Sequence, residues 1–175
     1  TTNMVVNNVM SMDARKIEHT LKSLDTASFD IAVEDIMAAD SVYIIGARAC
    51  EPLAEFLGYY LRMIKKNIQV IKTGNSNELF EQMMYIGKGD VAIGISFPRY
   101  SMRTLKAMEF ANNRQARVIA ITDSIHSPMN MYSSCNLFAR SDMASIVDSL
   151  VAPMSLINAL IVSLCLKNSE QVVEN

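Results

Sequence analysis

Apolar positions in this chain recur on two different periods. Short runs rich in β-branched residues lie at 41–46 (SVYIIG), 68–72 (IQVIK), 90–96 (DVAIGIS), 117–122 (RVIAIT) and 136–140 (NLFAR), and they read as five strands. The third and fourth are apolar over several consecutive positions, as expected of parallel strands covered on both faces. Between the runs, 51–65, 76–85 and 101–114 are spaced as helices, each long enough for a crossover back to the sheet. Two more helices precede the first strand, over 13–24 with Ile17, Leu21 and Leu24 on one stripe and over 28–39 with Ile31, Val33, Ile36 and Met37 on another; they are expected to cap the sheet. Helix starts are marked by Asp25, by 75–77 and by Ser141 with Asp142, whose side chains accept from first-turn amides. The alternation of strand and helix predicts one α/β domain with a parallel sheet.

Composition narrows the class. The chain has 175 residues, enough to bury a core, and 16 basic against 18 acidic side chains leave a net charge of −2. No electrostatic footprint for nucleic acid is present. Cys50, Cys135 and Cys165 are too few and too scattered for a disulfide framework, and with two histidines there is no metal-ligand spacing. A reducing, cytoplasmic setting follows, with no metal and no cofactor expected. The opening TTNMVVNNVMSMD is polar and lacks an initiator Met, so it reads as a cut start and not as a secretory leader. The apolar run from Ile146 to Leu166 is interrupted by Pro153, Ser155, Asn158 and Ser163, and its uncharged part from Val151 falls short of the ~20 residues of a membrane span. It is read as a buried or subunit-contact helix, the chain as a homodimer or tetramer, and the 13 methionines as core or subunit filler.

Ligands of open parallel sheets gather at the carboxyl ends of the strands. Three loops there carry candidate chemistry. The first, Gly46, Ala47, Arg48, Ala49 and Cys50, offers small residues and a helix start to an anion. In the second, Ser96, Arg99, Tyr100 and Ser101 fall within six residues just ahead of a helix, a set able to surround a phosphate, although Ser101 could equally cap the helix. The third, Thr122-Asp123-Ser124 with His126 and Pro128 behind it, could reach a sugar or be an ordinary turn. Glu78, on the helix after strand two, and Asp148, read as the start of the last helix, are weaker candidates.

At these loops the chain resembles a SIS (sugar isomerase) domain. The family's signature after strand three, roughly Ser-x-Ser-Gly-x-Thr, falls on 96–101: Ser96 keeps the first serine, Ser101 stands for the threonine, and Pro98 and Arg99 replace the second serine and the glycine. The first-loop pattern Gly-x-Gly-x-Ser falls on 46–50, with Arg48 at the second glycine and Cys50 at the serine. The strings GISFPRYS, VIAITDS and DSLVAPMSLINAL are most similar to effector domains of RpiR/MurR-type bacterial transcription regulators. The resemblance implies a three-layer αβα sandwich on a five-stranded parallel sheet of flavodoxin-like order, residues 1–39 joining a missing helix-turn-helix domain to a phosphosugar-binding domain at 40–175. It also implies a small phosphorylated sugar as effector, bound without turnover, and contact with DNA through the absent domain alone. An aldose-ketose phosphate isomerase of the same fold is the competing reading. It needs a positioned base, for which Glu78, His126 and Asp148 are the candidates. A third reading is an assembly module with a vestigial cleft.

Overall fold

A computed structural model describes residues 1–141 and 148–174. Five strands, β1 (Val42–Gly46), β2 (Ile68–Ile71), β3 (Val91–Ile95), β4 (Arg117–Thr122) and β5 (Cys135–Phe138), form one parallel sheet in the order β2-β1-β3-β4-β5. This is the flavodoxin-like order that the sequence resemblance implies. All five runs anticipated from hydropathy are strands, the last of them beginning one residue earlier, at Cys135. Register is direct, Val42 pairing with Val91 and Val91 with Arg117, so the ends of β1, β3 and β4 are level.

Successive side chains leave opposite faces of a strand, and the core divides accordingly. Ile44, Ile93, Ile95, Ile119 and Leu137 pack under α2 (Thr26–Ala38), α3 (Glu51–Ile64) and α6 (Val151–Glu174). Tyr43, Ile45, Ala92, Val118 and Ala120 face α4 (Ser76–Gln82) and α5 (Met102–Asn113). The outcome is the expected αβα sandwich. Capping matches the residue chemistry: Asp25 accepts from the Ala27 amide at 3.1 Å and Asn75 from Asn77 at 2.9 Å. Asp142 lies outside the described residues.

Four expectations change. The first helix, α1 (Thr2–Ser23), begins eleven residues before Asp13, and Met4, Val5, Val9 and Met10 in the added turns are exposed. These turns extend past the core, so their apolar residues, although helically spaced (Val5 with Val9, Val6 with Met10), bury against nothing in this chain. On the docked part Ile17 and Leu24 meet the core while Leu21 is exposed, and on α2 Ile31 is exposed while Val33 and Ile36 are buried. α4 ends at Gln82, three residues short of Tyr85. α6 starts at Val151, which leaves Asp148 ahead of it, and runs 24 residues. By length and composition it could cross a membrane; its Ala152, Leu156, Ile157, Leu160 and Leu164 are built into the core beside α3 and α2. Among the methionines, Met83, Met108 and Met129 are fully buried, and Met4, Met10, Met63 and Met102 are exposed.

Candidate functional site

The chain passes from β1 outward to β2 and then returns to β3 on the other side of β1. At that reversal the loops leaving β1 and β3 diverge, which opens a crevice beyond the strand ends. Gly46 closes β1, and a Cβ there would lie 2.5 Å from the Cys50 carbonyl oxygen; only glycine lets loop one fold back so tightly. A single 3-10 turn, Arg48–Cys50, then leads directly into α3.

Two residues at the mouth hold left-handed backbone. Arg48 has φ 54° and Arg99 φ 69°, conformations that cost a side-chain-bearing residue about 1–2 kcal/mol and that glycine adopts freely. They are the two positions where the SIS pattern has glycine and this chain has another residue, Gly46 keeping the third. Both guanidiniums are exposed and make no hydrogen bond or ion pair with the described residues. Strain of this kind persists where surrounding structure enforces it, and it concentrates at binding sites.

Arg48 and Arg99 share a chamber of about 140 Å³ with Ala47, Cys50, Ser96 and Ser101, closed by Ser141 and Asp148. Ser96 is buried; its hydroxyl accepts the Ser101 amide at 3.1 Å and so shapes the loop. Ser101 caps α5, accepting from the Thr104 amide at 3.3 Å, and its hydroxyl proton remains for a ligand. α5 therefore directs the positive end of its dipole at the chamber. A second chamber of about 530 Å³ adjoins the first through Ala47, Arg48 and Ser101 and adds Glu51, Thr73, Gly74, Tyr100 and Arg103. Thr73 and Arg103 were not singled out from the sequence. Their only signal is position, Thr73 following β2 and Arg103 lying in the first turn of α5; Arg103 donates to the Thr73 carbonyl at 2.5 Å.

The remaining candidates stand apart or are engaged inside the protein. Tyr100 donates to Asp123 Oδ1 at 2.6 Å, tying loop three to loop four; burial and then that carboxylate push its phenol up to about 12. Thr122 is fully buried with its hydroxyl 2.7 Å from Ser127 Oγ. Ser124 Oγ accepts the His126 amide at 3.2 Å and borders neither chamber. Glu78 lines a different groove with Gln69, Lys72 and Gln82 at the β2 edge. Among the described residues, no three His, Cys, Asp or Glu side chains gather as a metal site.

Cys50 is buried, and burial raises its thiol to about 11 despite a hydrogen bond with the Phe97 backbone. Cys135 is likewise raised to about 11, by burial first and then by Asp35 and Asp25. In the unfolded chain these thiols ionise near 9.0, so their contribution is complete below pH 9 and is lost as pH rises through 11. Thermal melts from pH 8 to 11.5 should therefore fall steeply above pH 9. A Cys50→Ala variant should fall less, by up to about 2–3 kcal/mol over that interval; an unchanged slope would contradict the burial of this thiol.

Comparison with known proteins agrees with this geometry. The family model described as SIS domain matches residues 35–163. An uncharacterized HTH-type transcriptional regulator of Haemophilus influenzae is 28% identical over 120 residues, which are 69% of this chain and 41% of the relative. The chain thus spans less than half the length of that relative. The sugar isomerase domain of an RpiR transcription factor from Sphaerobacter thermophilus superposes with a TM-score of 0.88 at 26% identity, covering 95% of this chain and 93% of that domain. The Vibrio vulnificus NanR protein complexed with ManNAc-6P superposes with a TM-score of 0.80 at 21% identity, covering 97% of this chain and 66% of NanR. With the sheet order, the two loops at its reversal and a family match over most of the chain, this protein belongs to the SIS-domain family and resembles the sugar isomerase domain of an RpiR transcription factor.

Proposed function

We propose that the chain is the effector-binding portion of a bacterial transcription regulator, taking a sugar phosphate into the crevice between loops one and three and releasing it unchanged. The single observation that carries this reading is the pair of guanidiniums, Arg48 and Arg99, unpartnered among the described residues and held on left-handed backbone over the cap of α5. A phosphate in the smaller chamber would take forked hydrogen bonds from both arginines and the Ser101 hydroxyl, and the sugar would extend toward Thr73 and Arg103. The named regulator relatives and a structural neighbour complexed with ManNAc-6P support a phosphosugar effector. Residues 1–39 would then connect the sheet to a helix-turn-helix domain, and the cytoplasm would be the place of action. Effector binding need only differ in affinity between two arrangements of the full protein to control its hold on DNA.

An isomerase would need a base at the sugar carbons. Among the described residues, Asp148 and Glu51 are the carboxylates bordering the chambers, and Glu78 and His126 border neither. Melting the domain against a panel of sugar phosphates and their unphosphorylated counterparts tests the proposal. One phosphosugar at ~100 times its dissociation constant should stabilise the fold by about 2.7 kcal/mol, and its unphosphorylated form should not. A shift with the unphosphorylated sugar alone, or none across the panel, would reject a phosphate-reading effector site.

A further inference from the structure

From Thr2 to Met12, α1 stands clear of the body of the domain. Met4, Val5, Val6, Val9, Met10 and Met12 are each at least 43% exposed, and nothing among the described residues covers them. No charged residue occurs in this stretch; Asp13 is the first. Intrinsic preference does not account for a helix here, because Thr, Val and Asn are poor helix formers and so short a segment is marginal in water without packing.

The exposed face continues the docked one. Farther along α1, Ile17, Thr20 and Leu24 are turned toward the core. Steps of three and four residues carry that stripe back through Asp13 to Val9 and Met10 and then to Val5 and Val6, while Asn3, Asn7, Asn8 and Ser11 lie on the other side of the helix. The arm is anchored at its base. Ser149 donates to Asp13 at 2.6 Å, and the Arg140 amide donates to the buried Thr20 hydroxyl at 2.9 Å. A seam that packs on one body and then runs on past its edge is shaped for a second body set beside the first.

We propose that a second copy of this chain covers the first turns of α1, each copy laying its arm on the outward face of α6 in the other. Charge favours this occupant. A twofold pair brings the same patches together in both directions, and patches without charge meet with no repulsion. A membrane surface would call for lysine or arginine on the polar side of the helix, where α1 has asparagine and serine. Area points to α6. A specific pair removes about 800 Å² from each partner, more than an arm about 16 Å long presents by itself, so the body of the domain must supply the rest. From Val151 to Leu166, α6 carries no charge, and its Asn158, Ala159, Val162 and Leu166 are exposed. Arm and seat are thus both unpartnered, both uncharged and both present on every copy.

Sedimentation velocity of the whole chain over a range of micromolar concentrations tests this. The chain should sediment as a dimer or a multiple of one. A Val9→Glu, Met10→Glu variant and, separately, Val162→Glu should each weaken the pair at least ~100-fold, because a carboxylate would enter an apolar contact unpaired. All three positions are exposed in the single chain, so its circular dichroism should be unchanged. Tyr85→Glu, at an exposed apolar site on another part of the surface, should leave the mass as it is. Several results would overturn the proposal: a chain that is monomeric throughout, a dimer untouched by the α1 change, one dispersed through α1 but not through α6, or a monomer whose α1 instead carries it onto anionic lipid vesicles.

Discussion

Replacing Arg48 and Arg99 together by glycine should make the protein more stable and a poorer binder. Each arginine sits at positive φ, which costs about 1–2 kcal/mol for an L side chain, whereas the greater freedom of glycine in the unfolded chain returns roughly 0.5–1 kcal/mol of that. The net gain for the pair is about 1–2 kcal/mol, or roughly 2–8 °C in Tm for a domain of this size. Binding should move the other way. A charged hydrogen bond contributes about 1.5–3 kcal/mol, so each lost guanidinium weakens a sugar phosphate at least ~10-fold. Paired melting and titration experiments separate this outcome from simple misfolding, in which stability and affinity would fall together. If both rose, the arginines would not be phosphate ligands. The opposed signs are what a strained binding site predicts: the backbone is held in an unfavourable conformation so that the side chains stand over the crevice.

The second large effect concerns Gly46. An added methyl would lie 2.5 Å from the Cys50 carbonyl oxygen, 3.0 Å from its carbon and 3.2 Å from Ala54 Cβ. The first two atoms are backbone and cannot rotate away, so loop one must shift. Gly46→Ala should therefore cost about 1–3 kcal/mol, lowering Tm by roughly 2–12 °C, and should displace Arg48 from the chamber, weakening ligand at least as much as loss of that guanidinium. Gly87→Ala is the control. Its Cβ would meet nothing closer than the Arg114 carbonyl at 3.8 Å and its φ is not positive, so it should be neutral or stabilising by about 0.4–1 kcal/mol. Melting and calorimetric titration of the two variants would contradict this account if they behaved alike.

Much of this arrangement is visible in the residue pattern. The continuous apolar runs 90–96 and 117–122 announce buried parallel strands, and the polar caps at Asp25, Asn75 and Ser101 mark helix starts because their side chains satisfy otherwise unpaired amides. The loops that follow strands one and three are legible as the place for a ligand for the same topological reason. What pattern does not reveal is which polar groups are already engaged. Thr122 and Tyr100 look available in sequence, yet one is sealed against Ser127 and the other is bonded to Asp123. Thr73 and Arg103 join the crevice only because β2 and α5 bring them to its rim, a relation between distant segments that leaves no local signature. The first turns of α1 differ: Val5 with Val9 and Val6 with Met10 are spaced helically, yet that face is exposed, so the boundary of the helix cannot be read from a core it packs on.

Binding without turnover is the central claim, and the proton that an isomerase must move gives the most direct access to it. The protein should be mixed at near-stoichiometric concentration with the phosphosugar that stabilises it, in deuterated water, and the sugar followed by proton and phosphorus NMR over hours. The account predicts bound-state shifts of the phosphorus signal with the C2 proton fully retained and no ketose formed. Exchange of that proton for deuterium above the protein-free rate, abolished by Asp148→Asn, would contradict it and make the crevice an isomerase active site.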